Sequence, residues 1–179
     1  MLFRSDFAAF PEPDASVLAD LDGDGRQDFL SPTAVSGYWS FRLADPAEQS
    51  GYGPRVVTAI PTTNAVALPE RAVIFDWDAD GRQDLLLPMT MTGGAVRWGL
   101  WRSTGRGFEA MVDTGYAVDS LGQRLQVADL NGDGRDDLVY ALSSPARVMV
   151  RLHDGTRPAA TPLTWWTLPT GQALDRKST

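Results

Sequence analysis

Three nine-residue stretches contain side chains that could together bind a metal ion. In each stretch, oxygen-bearing side chains occupy positions 1, 3, 5 and 9, glycine occupies position 6 and arginine occupies position 7. Alternate residues of a tight loop can point inward together, so these oxygens converge on one centre. A flexible, anionic, all-oxygen site of this kind suits calcium better than magnesium or zinc. The stretches are loop 1, Asp20–Asp28 (DLDGDGRQD), loop 2, Asp76–Asp84 (DWDADGRQD), and loop 3, Asp129–Asp137 (DLNGDGRDD).

The spacing predicts one calcium ion in each loop, about three in all. Each ion would be bound by the four side chains and by the backbone carbonyl of the arginine at position 7, while the glycine at position 6 permits the sharp turn. The predicted ligands are Asp20, Asp22, Asp24, Asp28 and the carbonyl of Arg26; Asp76, Asp78, Asp80, Asp84 and the carbonyl of Arg82; and Asp129, Asn131, Asp133, Asp137 and the carbonyl of Arg135.

Two other metal-dependent classes share parts of this pattern. An EF-hand loop needs an acidic residue at position 12, where this chain has Ser31, Leu87 and Tyr140. It also needs flanking helices, whereas short apolar runs precede and follow each loop here and predict strands. A haloacid dehalogenase-like phosphatase uses one DxD motif and a distant lysine. Here the motif occurs three times and the only lysine is Lys177.

Aspartate–glycine pairs also form ordinary hairpin turns, which is the simplest alternative to a metal site. A turn does not require four carboxylates, however, and several carboxylates held close together without a cation repel one another. The repetition of the full nine-residue pattern therefore favours calcium over plain turns.

The composition agrees with metal binding and excludes several other functions. The 179-residue chain has a net charge of −7, and its loops contain eleven of the predicted ligand carboxylates. Three calcium ions would bring this charge to about −1, so the acidity gives no support for nucleic-acid binding. With no cysteine and a single histidine, His153, the usual disulfide, zinc and Ser-His-Asp arrangements are excluded. We expect a non-catalytic protein, with His153 as a turn residue.

The loops begin at residues 20, 76 and 129, which are 56 and 53 residues apart. Each repeat supports four short strands, and the fourth strand of the second repeat is predicted over residues 108–112. Repeats of this length with four strands are typical of propeller blades. The predicted fold is all-β: a partial β-propeller of about three four-stranded antiparallel blades, each with its acidic hairpin loop. We expect Trp39, Trp98 and Trp101 to pack between blades, and one of Trp165 and Trp166 to be exposed.

The sequence therefore predicts a single repeat domain over residues 1–179. Residues 17–66, 67–120 and 121–170 form the three predicted blades, residues 1–16 contain a strand of a preceding blade, and residues 171–179 form a tail. Because a closed propeller has four to eight blades, we expect the partners to be neighbouring blades of a longer chain or other copies of this one. No stretch reaches the length of a transmembrane helix, and charge interrupts any signal-like segment at the N-terminus.

The motif D-x-D-G-D-G-x-x-D after a strand resembles the FG-GAP or VCBS-type repeat of integrin α-subunit propellers and many secreted bacterial proteins. The resemblance implies that each repeat is one propeller blade with calcium in the hairpin between its first two strands. Two positions depart from the motif: Ala79 replaces a glycine, which strains that turn, and Asn131 replaces an aspartate, which removes one negative charge.

The resemblance also implies a function. We expect a calcium-stabilised scaffold or protein-interaction module of a larger secreted or surface protein, similar to the VCBS segments of toxin-complex and RHS-repeat proteins. Extracellular calcium, which is present at millimolar levels, would fill sites of modest affinity. The alternative is a carbohydrate-binding propeller, because some lectins use the same repeat.

Overall fold

A computed structural model of the chain describes residues 16–33, 37–62, 71–118, 125–143 and 146–167. The regular elements of these residues are twelve β-strands, and none of the three acidic loops is flanked by a helix. The strands are β1 (Val17–Ala19), β2 (Asp28–Thr33), β3 (Tyr38–Arg42), β4 (Val56–Pro61), β5 (Val73–Phe75), β6 (Asp84–Thr90), β7 (Val96–Trp101), β8 (Val112–Ala117), β9 (Leu125–Ala128), β10 (Asp137–Ser143), β11 (Ala146–Arg151) and β12 (Leu163–Thr167).

The strands form three separate four-stranded sheets, in which each strand pairs antiparallel with the next one along the chain. We call them blade 1 (β1–β4), blade 2 (β5–β8) and blade 3 (β9–β12). The predicted all-β fold, a partial propeller of three four-stranded blades, is confirmed.

Two apolar clusters connect the blades. The first lies between blades 1 and 2 and contains Trp39 together with side chains of β6 and β7. The second lies between blades 2 and 3 and contains Trp98 and Leu138. Strand β6 contributes to both, because successive side chains of a strand point to opposite faces: Leu85 and Leu87 join the first cluster and Leu86 joins the second. Each fully buried leucine stabilises the fold by about 2 kcal/mol relative to exposure.

The expected core positions of three tryptophans are confirmed, since Trp39, Trp98 and Trp101 are all buried. The expectation for the last strand is wrong in part. Trp165 and Trp166 are 57% and 50% exposed, because every residue of β12 lies on an exposed edge strand. Neither tryptophan is therefore buried, although adjacent residues of a strand point to opposite faces.

The fourth strand of blade 2 also differs from the prediction. It spans Val112–Ala117, not residues 108–112. Phe108 instead bridges to Ser103, and its ring packs edge-on against Phe41 of blade 1, with centroids 6.1 Å apart. The apolar character of Phe108 therefore reflects packing between blades and not membership of a strand.

Two predicted terminal features fall outside the described residues. They are the strand of a preceding blade, apart from Ser16, and the tail over residues 171–179. The blade boundaries given above stay a prediction. Within the described residues, no helix is long and apolar enough to cross a membrane.

Candidate metal centre

Each acidic loop connects the first two strands of its blade, which is the position that the resemblance implies. The first strand ends immediately before position 1, and the second begins at position 9. The last residue of the first strand pairs with position 9, as in Ala19 with Asp28 and Phe75 with Asp84. Antiparallel pairing therefore brings the two ends of the loop together and sets the position 9 carboxylate beside position 1.

The structure brings three predicted ligands of each of the first two loops together. In loop 1 these are Asp20, Asp22 and Asp28, whose ligand oxygens lie within 4.8 Å of one another. In loop 2, Asp76, Asp78 and Asp84 form the same arrangement. Loop 3 has Asn131 at position 3, so an amide oxygen replaces one carboxylate there and the loop has one negative charge fewer.

The carboxylate at position 1 organises the loop by accepting backbone hydrogen bonds. In loop 1, Asp20 accepts from the amides of Gly23 at 2.8 Å and Asp24 at 3.1 Å on Oδ1, and from Gly25 at 2.8 Å on Oδ2. Asp129 accepts the three corresponding bonds in loop 3, and Asp76 accepts two of them in loop 2, from the amides of Asp80 and Gly81. These bonds hold the turn closed around the carboxylate.

The aspartates at position 5 are not part of these groups and pair instead with the arginines at position 7. Asp24 forms an ion pair with the side chain of Arg26 and accepts a hydrogen bond from its amide. The same pair joins Asp80 to Arg82, and Asp133 to Arg135 at 2.7 Å. Metal ligation by position 5 therefore requires this carboxylate to exchange its arginine for the ion. That ligation and ligation by the arginine carbonyls stay predictions.

The carboxylate at position 9 is the most buried of the predicted ligands. Burial raises the pKa of Asp28, against the backbone hydrogen bonds from Ala44 and Leu21. The same cause raises the pKa of Asp84 to about 7, and the charges of Asp78 and Asp80 add to the effect. A divalent cation beside these groups would favour their ionised forms.

The donor set fits a hard cation. All the side-chain ligands are oxygens, and at loop 2 one of them lacks any other partner: Oδ1 of Asp78 is buried and accepts no hydrogen bond from the described residues. A buried carboxylate oxygen without a hydrogen bond is costly. Its other oxygen lies 3.4 Å from Nη1 of Arg102. A cation among Asp76, Asp78 and Asp84 would satisfy the orphaned oxygen.

Three residues outside the motif, Ala44, Ser103 and His153, hold the position 9 carboxylates through their backbone amides, a role that the sequence does not indicate for any of them. The amide of Ser103 donates to Oδ1 of Asp84 at 2.7 Å, and the amide of His153 donates to Oδ1 of Asp137 at 2.8 Å. Ala44 does the same for Asp28 in blade 1. His153 lies at the base of a turn, as expected, but its side chain is buried. Because alanine, serine and histidine share only a backbone amide, no residue pattern marks the position.

Comparison with known families supports the assignment of the repeat. A model described as FG-GAP-like repeat matches residues 76–140, from the first ligand of loop 2 through the first residues of β10. This part of the chain is similar to an FG-GAP-like repeat. The matched region contains loops 2 and 3, which supports a β-propeller-like module. None of the curated proteins matches the chain.

Proposed function

We propose that this protein is a calcium-binding, non-catalytic propeller module that acts as a structural scaffold or protein-interaction domain. The observation that carries the proposal is the convergence of Asp76, Asp78 and Asp84, with a buried oxygen of Asp78 that has no hydrogen-bond partner in the described structure. The same arrangement of Asp20, Asp22 and Asp28 in loop 1 supports a second structural ion there, and the nine-residue motif of loop 3 extends the proposal to the third repeat.

The surroundings of the only histidine support a non-catalytic role. Nδ1 of His153 accepts a hydrogen bond from the amide of Gly155 at 2.9 Å, so the proton of the neutral ring is on Nε2. Nε2 lies 2.8 Å from the carbonyl oxygen of Trp77, to which it donates. Both ring nitrogens therefore have structural partners, and the ring is 3% exposed.

The carbohydrate-binding alternative has little support. A lectin should show a recurring aromatic pocket at one position in every blade, and the nearest candidates on the third strands are Trp39 and Trp98. These side chains are 0% and 1% exposed and pack between blades, so they cannot stack on a sugar.

Exposed apolar side chains support association with further sheets. Leu163, Trp165 and Trp166 are each at least half exposed on β12. Leu18, Val56 and Val57 of blade 1 are also exposed. We propose that the partners are neighbouring blades of a longer chain or other copies, because apolar sheet surface of this kind favours burial.

We further propose a secreted or cell-surface setting within a larger bacterial protein of the toxin-complex or RHS type. The support is the resemblance to VCBS-type repeats, together with the match of residues 76–140 to an FG-GAP-like repeat. Millimolar extracellular calcium would also keep sites of modest affinity filled.

Calorimetric titration and thermal unfolding test the function. Protein freed of metal with EDTA should bind about three calcium ions per chain, the weakest at loop 3. Calcium at a hundred times the dissociation constant of a site should stabilise the fold by about 2.7 kcal/mol per site, and magnesium should act more weakly. Asp78→Ala should remove one ion and leave the other two. Absence of calcium binding, or equal effects of both ions, would contradict the proposal.

A further inference from the structure

A continuous series of hydrogen bonds connects the buried carboxylates of loops 1 and 2. Oδ2 of Asp28 accepts from the amide of Leu21 at 2.8 Å, and the carbonyl of Leu21 accepts from the hydroxyl of Ser103 at 2.6 Å. The amide of Ser103 then donates to Oδ1 of Asp84 at 2.7 Å. Asp28, Leu21, Ser103 and Asp84 are all buried, so water does not compete for these bonds.

The same series continues from loop 2 to loop 3 with a different side chain. Oδ2 of Asp84 accepts from the amide of Trp77 at 3.0 Å, and Nε2 of His153 donates to the carbonyl of Trp77 at 2.8 Å. The amide of His153 donates to Oδ1 of Asp137 at 2.8 Å. Both oxygens of Asp84 therefore take part, one toward each neighbouring blade.

Ser103 and His153 each perform two tasks. The backbone amide holds the position 9 carboxylate of the residue's own blade, and the side chain donates to the carbonyl of the position 2 residue in the preceding loop. The amide of that position 2 residue in turn holds the position 9 carboxylate of its own loop. Position 9 is predicted to ligate the ion in every loop, so the orientation of one buried ligand depends on the orientation of the next.

We infer that Ser103 and His153 couple the neighbouring metal centres, so that an ion bound at one loop raises the affinity of the next. The inference rests on the proposed function. An ion that fixes Asp28 also orders Leu21, whose amide binds Asp28 and whose carbonyl accepts from the Ser103 hydroxyl. The amide of Ser103 then holds Asp84 in place before the second ion arrives. The ordering of Asp84 is then already complete when the second ion binds, which gives positive cooperativity.

The test measures calcium affinity at loop 2 with and without a working loop 1. In the full chain, Asp129→Ala with Asp133→Ala disables loop 3, and Asp22→Ala disables loop 1 without touching the hydrogen-bond series. Titration calorimetry with calcium alone should show binding at loop 2 about fivefold weaker when loop 1 is disabled. In the Ser103→Ala background the ratio of the two affinities should fall to near one.

Thr114→Ala is the matched control. The hydroxyl of Thr114 donates to the carbonyl of Trp98 at 2.7 Å and accepts from the amide of Tyr116 at 3.1 Å, entirely within blade 2. The hydroxyl of Ser103 likewise accepts from an amide two residues later, that of Gly105. Thr114→Ala should therefore cost comparable stability and leave the affinity ratio unchanged.

The outcomes separate this inference from the proposed function. Calcium binding with a ratio near one in the otherwise native protein overturns the coupling and leaves the calcium module intact, whereas absence of binding overturns both. A fivefold ratio that survives Ser103→Ala overturns the role of this residue. If Ser103→Ala does not fold, Ser103→Cys retains the volume with only a weak donor and should lower the ratio in the same direction.

Discussion

Asp20 and Gln83 form two hydrogen bonds with each other across the boundary between blades 1 and 2. The amide of Asp20 donates to Oε1 of Gln83 at 2.8 Å, and the amide of Gln83 donates to the carbonyl of Asp20 at 2.7 Å. Asp20 is a predicted ligand of loop 1, while Gln83 is position 8 of loop 2. The backbone of one candidate metal centre is therefore positioned by the next blade.

Gln83→Ala should destabilise the fold, because it leaves the part-buried amide of Asp20 without its acceptor. We expect a loss of about 1 kcal/mol and a melting temperature lower by about 2–4 °C, measured by thermal and denaturant unfolding in calcium. Gln27→Ala is the control, since Gln27 occupies the same position of loop 1 and is exposed; its effect should stay within about 0.5 kcal/mol. Equal effects of the two changes would contradict the cross-blade role.

The turn of loop 2 contains a strained alanine. Ala79 has a φ of 60°, whereas the equivalent Gly23 and Gly132 have φ values of 78° and 76°. A left-handed conformation costs a non-glycine residue about 1 kcal/mol, and glycine loses part of that advantage through its greater freedom when unfolded. Ala79→Gly should therefore raise the free energy of unfolding by about 0.5 kcal/mol, as measured by denaturant titration.

The reverse change, from glycine to alanine, can be tested at two equivalent positions that differ in the space available for a Cβ atom. A Cβ at Gly132 would meet nothing within 4 Å, whereas one at Gly23 would lie 3.1 Å from the carbonyl oxygen of Gly81 in the next blade. Gly132→Ala should therefore cost only the net strain, about 0.5 kcal/mol, and Gly23→Ala should cost more. If Gly23→Ala were the milder change, the close packing of loops 1 and 2 would be wrong.

The fold could be predicted from the sequence because its signals are local and repeated. Each loop is bounded by apolar runs too short for helices, and the spacing of residues 20, 76 and 129 gives one four-stranded unit per loop. Phe108 and the Trp165–Trp166 pair were misjudged because their surroundings depend on the neighbouring blade: Phe108 packs against Phe41, and β12 is an exposed edge.

The candidate site was only partly predictable for the same physical reason. The loop ligands act through their side chains, so the spacing of these residue types in the sequence was enough to predict them. Ser103 and His153 act through a backbone amide and through a bond to a residue 82 or 76 positions away. The hydrogen bond from the backbone amide to the position 9 carboxylate requires neither serine nor histidine, because Ala44 makes the corresponding bond to Asp28. Only the packing of adjacent blades reveals the position.

The ion pair between Arg26 and Asp24 predicts that this arginine lowers calcium affinity. The guanidinium occupies a predicted ligand and adds positive charge beside the loop. Arg26→Gln should therefore strengthen binding at loop 1 about two- to fivefold, a modest effect because the pair is partly exposed and screened. Titration calorimetry against Arg97→Gln is the test, since Arg97 pairs with Asp113 away from the loops. An equal gain in both variants would indicate a general charge effect.

The turn after strand β11 predicts a pH dependence that is independent of calcium. Hydrogen bonds from the side chain and amide of Thr156, and from the amide of Arg157, lower the pKa of Asp154 to about 2, from 3.8. A lowered pKa contributes stability above the unfolded value, and that contribution is lost as the pH falls through the folded value. Wild type should therefore be more stable than Asp154→Asn by a constant amount above about pH 5. Urea unfolding in EDTA should show this difference shrinking between about pH 4 and pH 2, because protonated Asp154 then resembles asparagine. A difference that persists at about pH 2 would show that charge on Asp154 is not what stabilises the turn.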